Sequence, residues 1–125
     1  MKFYICEHCG NIIIKVKDSK VPVVCCGAVM KELIPGTTDG AHEKHIPVIT
    51  KEGNKVIVEV GSVEHPMVDV HYIEWIILET NKGFHKYDLK PGERPRGEFL
   101  LGEGEEVVAA YEYCNLHGLW KNIVE

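Results

Sequence analysis

The chain has 125 residues, of which 45% are hydrophobic and 26% charged, as in a globular protein that buries a core. Its formal net charge of −5 gives little support to nucleic-acid binding, and any anionic substrate must be attracted by local positive charge. There is no signal-peptide pattern, and the most apolar run, residues 72–78, contains Glu74 and is too short to span a bilayer. We therefore expect a cytoplasmic protein without membrane or nucleic-acid partners.

The N-terminal third carries four of the five cysteines, in Cys6-Glu7-His8-Cys9-Gly10 and Cys25-Cys26-Gly27. In a cytoplasmic protein such clusters are more often metal ligands than disulfides, and four thiolates can enclose a tetrahedral iron or zinc ion. So short a segment cannot bury enough surface to fold alone, so a metal or a dimer is expected. A zinc ribbon and a Cys25–Cys26 disulfide are the alternatives.

Residues 12–16 and 21–24 are predicted strands, and a Pro-Gly linker ends the first domain, giving domains 1–36 and 37–125.

The second domain has the pattern of an antiparallel β-sandwich. It shows no convincing helical stripe, and turn signals such as Glu52-Gly53-Asn54 separate runs rich in β-forming residues. Valines, isoleucines and Trp75 are expected to form the core. The predicted strands are residues 46–50, 55–60, 67–79, 84–89, 97–101, 106–113 and 119–124.

A second metal centre is predicted around Cys114-Asn115-Leu116-His117, where a thiol and an imidazole three residues apart can reach one ion. The candidate partners are three histidines earlier in the chain. His45 lies at the start of the first predicted strand of this domain. His65 and His71 are six residues apart, and this even offset allows both rings to reach the same face of a sheet. His8, His42 and His85 are expected to lie outside the centre. Four imidazoles and one thiolate favour iron over a structural zinc site, and they leave one octahedral position open.

These motifs together resemble desulfoferrodoxin, the two-iron superoxide reductase family, over essentially the whole chain. The resemblance is carried by Cys6-x-x-Cys9 with Cys25-Cys26, Glu43-Lys44-His45-Ile46-Pro47-Val48, His65-Pro66-Met67, His71-Tyr72-Ile73-x-Trp75 and Cys114-Asn115-x-His117-Gly118. It implies a desulforedoxin-like domain that holds iron, with zinc as the alternative ion, through the first four cysteines. It further implies an immunoglobulin-like β-sandwich with a reactive iron.

The resemblance implies that four histidines are the equatorial ligands of that iron and that Cys114 is the axial ligand. The four are His45, His65, His71 and His117. Glu43 matches the carboxylate that binds the sixth position in the oxidised state, and Lys44 the cation beside the open face. The implied activity is one-electron reduction of superoxide to hydrogen peroxide, which protects against oxidative stress. The implied partners are a rubredoxin-like protein or another reductase as electron donor, and a second copy of the chain in a homodimer.

The charges of such a site suit this chemistry. A ferrous ion with one thiolate and four neutral imidazoles carries a single positive charge, to which Lys44 adds. Backbone amides of Leu116 and His117 are expected to hydrogen-bond the Cys114 sulfur and so tune the reduction potential of the metal centre. The alternatives are a non-catalytic iron electron-transfer protein, a Rieske cluster using Cys6, His8, Cys114 and His117, a zinc-stabilised binding module, and a superoxide dismutase.

Overall fold

The computed structural model describes residues 1–124, which form two compact units, Met1–Ile34 and a second that begins at Pro35. The division falls two residues before the boundary expected at residue 36. Glu125, the last residue of the predicted second domain, lies outside the described residues. Both units consist mainly of antiparallel strands, so the predicted mainly-β fold is confirmed. Among residues 1–124, no helix has the length and apolar character needed to cross a membrane.

The first unit contains two small antiparallel sheets. A three-stranded sheet has β1 in its centre, and a two-stranded hairpin carries Cys25. Phe3, on β1, is almost completely buried. The strands are β1 (Phe3–Ile5), β2 (Ile12–Ile14), β3 (Val24–Cys25), β4 (Ala28–Val29) and β5 (Lys31–Leu33).

The hairpin explains the adjacent cysteines. Cys25 ends β3 and Ala28 begins β4, so Cys26 and Gly27 form a two-residue loop. Both loop residues have positive φ, +53° and +76°, as a type I′ turn requires. All five cysteines of the chain are free thiols, so the alternative Cys25–Cys26 disulfide is not formed.

The second unit is a sandwich of two antiparallel sheets with one short helix. The three-stranded sheet has the order β10-β7-β6, and the four-stranded sheet the order β12-β11-β8-β9. The elements are α1 (His42–His45), β6 (Pro47–Glu52), β7 (Lys55–Val60), β8 (Ile73–Thr80), β9 (Gly83–Asp88), β10 (Arg96–Leu100), β11 (Val107–Cys114) and β12 (Gly118–Ile123).

The core lies between the two sheets and follows the alternation of the strands. On β7, Val56, Val58 and Val60 point inward, while the residues between them are more exposed. The four-stranded sheet contributes Ile76 and Leu78 from β8. Cys114, at the end of β11, belongs to the same buried cluster, so the sandwich core reaches the predicted metal centre.

The strand predicted over residues 67–79 is too long, because it begins only at Ile73. Val68 and His71 exchange two backbone hydrogen bonds of 3.0 Å, which close a tight turn before the strand. Asn115 holds this turn through bonds to the carbonyl of Val70 and the N–H of Tyr72. His71 therefore lies in a loop, and the prediction that it is inside a strand is wrong.

Two further local predictions are corrected. His45 does not open a strand but ends the single turn of α1. In the first unit, the predicted strand over residues 21–24 is absent apart from Val24, since Pro22 has no N–H to offer a neighbouring strand. Strands β1, β4 and β5 were not predicted.

Candidate metal centres

The five residues predicted to form the second metal centre converge in the structure. One nitrogen or sulfur atom from each lies within 4.8 Å of the others. The donors come from four places along the chain: the end of α1, the loop between β7 and β8, the end of β11, and the turn that leads into β12. The five residues are His45, His65, His71, Cys114 and His117.

Backbone carbonyls fix the orientation of two imidazoles. His45 Nδ1 donates to the carbonyl of Ala41 at 2.7 Å, and His65 Nδ1 donates to the carbonyl of Pro66 at 2.6 Å. Because each Nδ1 carries the proton, each Nε2 keeps its lone pair for a ligand. The two Nε2 atoms are 3.1 Å apart, and His117 Nδ1 is also 3.1 Å from His45 Nε2.

Three of the four imidazoles favour their neutral form. Burial lowers the pKa of His65 to about 4, and it also lowers the pKa values of His45 and His71. His71 Nε2 is buried and has no hydrogen-bond partner among the described residues. Neutral imidazoles that turn lone pairs toward one point, with one nitrogen otherwise unpaired, fit a shared cation.

Cys114 supplies the sulfur of this centre. Its side chain is fully buried, and Sγ lies 3.8 Å from His117 Nδ1. Burial raises the pKa of this thiol, whereas hydrogen bonds from the N–H groups of Leu116 and His117 lower it. These two donors are the ones predicted from the sequence, and they favour a thiolate once a cation offsets the burial.

Glu43 and Lys44 belong to α1, which ends at the ligand candidate His45. The positive charge of Lys44 contributes, after burial and His117, to the lowered pKa of His71, so its ammonium group acts on the centre. Glu43 is exposed, and its carbonyl accepts a 2.8 Å hydrogen bond from the N–H of Val63. Gly61 allows this contact: at φ +80° its Cβ would lie 2.6 Å from the carbonyl oxygen of Glu43.

The four N-terminal cysteines also converge, with their sulfurs within 4.8 Å of one another. The N–H of Cys9 donates to Cys6 Sγ at 3.5 Å and lowers the pKa of that thiol to about 6. Sharing hydrogen bonds with the Cys9 thiol raises the pKa of Cys26 to about 12. Four sulfurs this close together fit a tetrahedral metal ion.

The remaining histidines lie outside both donor groups, as predicted. His8 is exposed, and His85 Nε2 pairs with Glu105 at 2.8 Å. His42 packs edge-on against Trp120. Sequence reasoning missed Trp120 itself, which contacts two ligand candidates, and it missed the fully buried Glu112 on β11. Alternation could not have indicated their burial, because residues 109–112 and 119–120 are buried without a break.

Fold and donor sets together define a class of protein: a β-sandwich metalloprotein with a four-imidazole, one-thiolate centre and a separate four-cysteine site. The sequence pattern of the family described as Desulfoferrodoxin matches residues 37–123. The chain is 50% identical to the desulfoferrodoxin of Nitratidesulfovibrio vulgaris over 120 residues, covering 96% of this chain and 94% of that protein. It is 48% identical to a desulfoferrodoxin homolog of Archaeoglobus fulgidus over 122 residues, covering 98% and 96%.

Among solved structures, the superoxide reductase from Treponema pallidum superposes with a TM-score of 0.81 at 38% identity, covering 96% of this chain and 98% of that one. The chain belongs to the desulfoferrodoxin family. Its two donor groups fit the iron centres of this family, as the sequence analysis expects.

Proposed function

We propose that this protein is a superoxide reductase, which reduces superoxide by one electron to hydrogen peroxide at iron held by His45, His65, His71, His117 and Cys114. The observation that carries the proposal is the arrangement of these donors: one nitrogen from each of four imidazoles and one buried sulfur lie within 4.8 Å of one another. The superoxide reductases similar to this chain support the same activity.

Iron bound there would supply the electron, and the Cys114 thiolate would increase the electron density available for transfer. The protein's own part is mostly electrostatic. Because the chain carries a net charge of −5, Lys44 must attract superoxide locally, and its influence on His71 supports that position. The same ammonium group can order a water molecule that protonates the product.

We propose that the Glu43 carboxylate would be a further ligand of the iron in its oxidised state. The hydrogen bond from the N–H of Val63 to the Glu43 carbonyl anchors the backbone, so the carboxylate would approach the ion by rotation of the side chain. A side chain exposed to solvent on an anchored backbone can change rotamer without disturbing the ligands.

The first unit is proposed as a separate domain in which Cys6, Cys9, Cys25 and Cys26 bind iron, with zinc as the other ion that four sulfurs accept. A rubredoxin-like protein or another cellular reductase would return electrons to the protein. We further propose that the protein acts as a homodimer in the cytoplasm, where it removes superoxide.

Stopped-flow mixing of the reduced, iron-loaded protein with superoxide tests the proposal. The thiolate-to-iron absorption band of the oxidised second centre should appear at the rate at which superoxide disappears. A zinc-loaded sample is the matched control, since it has the same fold and charge but no electron to give. If superoxide disappears equally fast with the zinc form, the proposed chemistry is wrong.

A further inference from the structure

One large side chain contacts two of the ligand candidates without being a ligand itself. Trp120 lies on β12 and is fully buried. Its indole stacks on the ring of His45, with centroids 4.9 Å apart and planes inclined by 26°. Its Nε1–H donates to the carbonyl of His117 at 3.0 Å.

The two contacts act on different ligands in different ways. The hydrogen bond from His45 Nδ1 to the Ala41 carbonyl restrains one edge of the ring, but the ring can still rotate about the line of this bond. Trp120 covers the face of that ring and opposes this rotation. The indole also holds the backbone carbonyl of His117. This carbonyl belongs to the turn that carries both the His117 imidazole and the Cys114 sulfur.

The indole is itself confined on the side of the linker. A Cβ atom added at Gly40 would lie 3.1 Å from Trp120 Cζ2 and 3.2 Å from both His45 Cε1 and His117 Cβ. Thr38 Oγ1 donates to the same His117 carbonyl that accepts from Trp120. Because the indole is enclosed in this way, it has little freedom to tilt, and its two contacts hold His45 and His117 in one fixed relation.

We propose that Trp120 is a positioning residue of the five-donor centre, which fixes the His45 ring and the His117 turn and so determines how firmly the metal is held. The proposal rests on the proposed function, because it assumes that these residues bind iron. Groups that contact metal ligands and fix their orientation, without binding the metal themselves, typically contribute a factor of about 10 to 100 in metal affinity.

The chain has two tryptophans, so it offers its own matched control. Trp75 is also buried, but it stacks on Tyr113, with centroids 5.8 Å apart. Trp120→Leu removes both contacts of the indole, Trp120→Phe removes the N–H and keeps an aromatic face, and Trp75→Leu removes a core tryptophan. Urea unfolding of each variant gives the loss of stability against which the metal data are compared.

The measurement is the rate at which EDTA removes iron from the oxidised full-length protein, followed at the thiolate-to-iron absorption band that Cys114→Ser is expected to abolish. We expect Trp120→Leu to release iron about 10- to 100-fold faster than the wild type, and Trp120→Phe to lie between them. Trp75→Leu, at a similar loss of stability, should release iron at nearly the wild-type rate. If Trp120→Leu does not fold, faster release from Trp120→Phe supports the proposal by itself.

Two results overturn the proposal. In one, both Trp120 variants release iron at the wild-type rate. In the other, Trp75→Leu accelerates release as much as Trp120→Leu, which would make the effect one of general stability. A wild-type protein with no Cys114-dependent band would instead contradict the proposed function, so the two failures are distinguishable.

Discussion

Acidification should destabilise the metal-free protein through His65. Burial lowers the pKa of this imidazole from 6.5 to about 4. Between these values the unfolded chain binds a proton that the folded chain does not, so stability is lost as the pH falls through this window. A pKa lowered from 6.5 to about 4 corresponds to ~3 kcal/mol, of which about 2.5 kcal/mol is lost between pH 7 and pH 4.5.

His65→Gln isolates this contribution, since glutamine is neutral at every pH. Urea unfolding of the EDTA-treated protein at pH 7 and pH 4.5 gives the loss of stability for wild type and variant, and the variant should lose about 2 to 3 kcal/mol less. The same loss in both would refute the reasoning, because it would mean that folding does not disfavour the imidazolium form of His65.

Glu112 provides a control of opposite sign. Its carboxylate is fully buried, both oxygens lack a partner among residues 1–124, and burial raises its pKa well above 4.5. The folded chain therefore keeps a proton that the unfolded chain releases above its own pKa, and this contribution increases stability as the pH falls. Glu112→Gln removes it, so this variant should lose more stability on acidification than the wild type.

Four further predictions concern the two centres. Lys44→Ala should slow the reaction with superoxide by about tenfold and weaken its dependence on salt, while Lys86→Ala on β9 should not; equal effects would remove Lys44 from the mechanism. Cys114→Ser should abolish the thiolate-to-iron band of the second centre, and a retained band would show that Cys114 is not a ligand. Gly40→Ala should cost about 1 to 3 kcal/mol in urea unfolding and release iron faster, because the new methyl group crowds the rings of Trp120 and His45 and the Cβ of His117; wild-type iron retention would contradict this. Cys9→Ser should disturb the metal of the first unit but largely spare peroxide formation by supplied ferrous protein, and loss of that activity in a folded variant would make the first iron an obligatory relay.

The sequence predicted the sandwich well where single strands bury one face. Residues 55–60 place a valine at every second position, and β7 occupies this range in the structure. The five donors were also predicted, since Cys114-x-x-His117 requires partners and the family motifs name them. Convergence of residues from four places along the chain depends on the sandwich topology, which periodicity alone does not specify.

The parts that were predicted wrongly depend on contacts distant in sequence. Residues 67–72 have strand-like composition, but Asn115, 43 and 45 residues away along the chain, holds them as a turn. His45 ends a helix of one turn, which is too short for any periodic signal. The contact of Trp120 with His45 likewise joins residues that only the folded sheet brings together.

The yield of hydrogen peroxide per superoxide consumed tests the central claim most directly. The fully reduced protein, with its iron content per chain measured, is exposed to a limiting amount of superoxide under anaerobic conditions. Reduction at the five-donor centre predicts one peroxide for each superoxide and no oxygen from the reaction. One peroxide for every two superoxide, with oxygen released, would show dismutation and contradict the account.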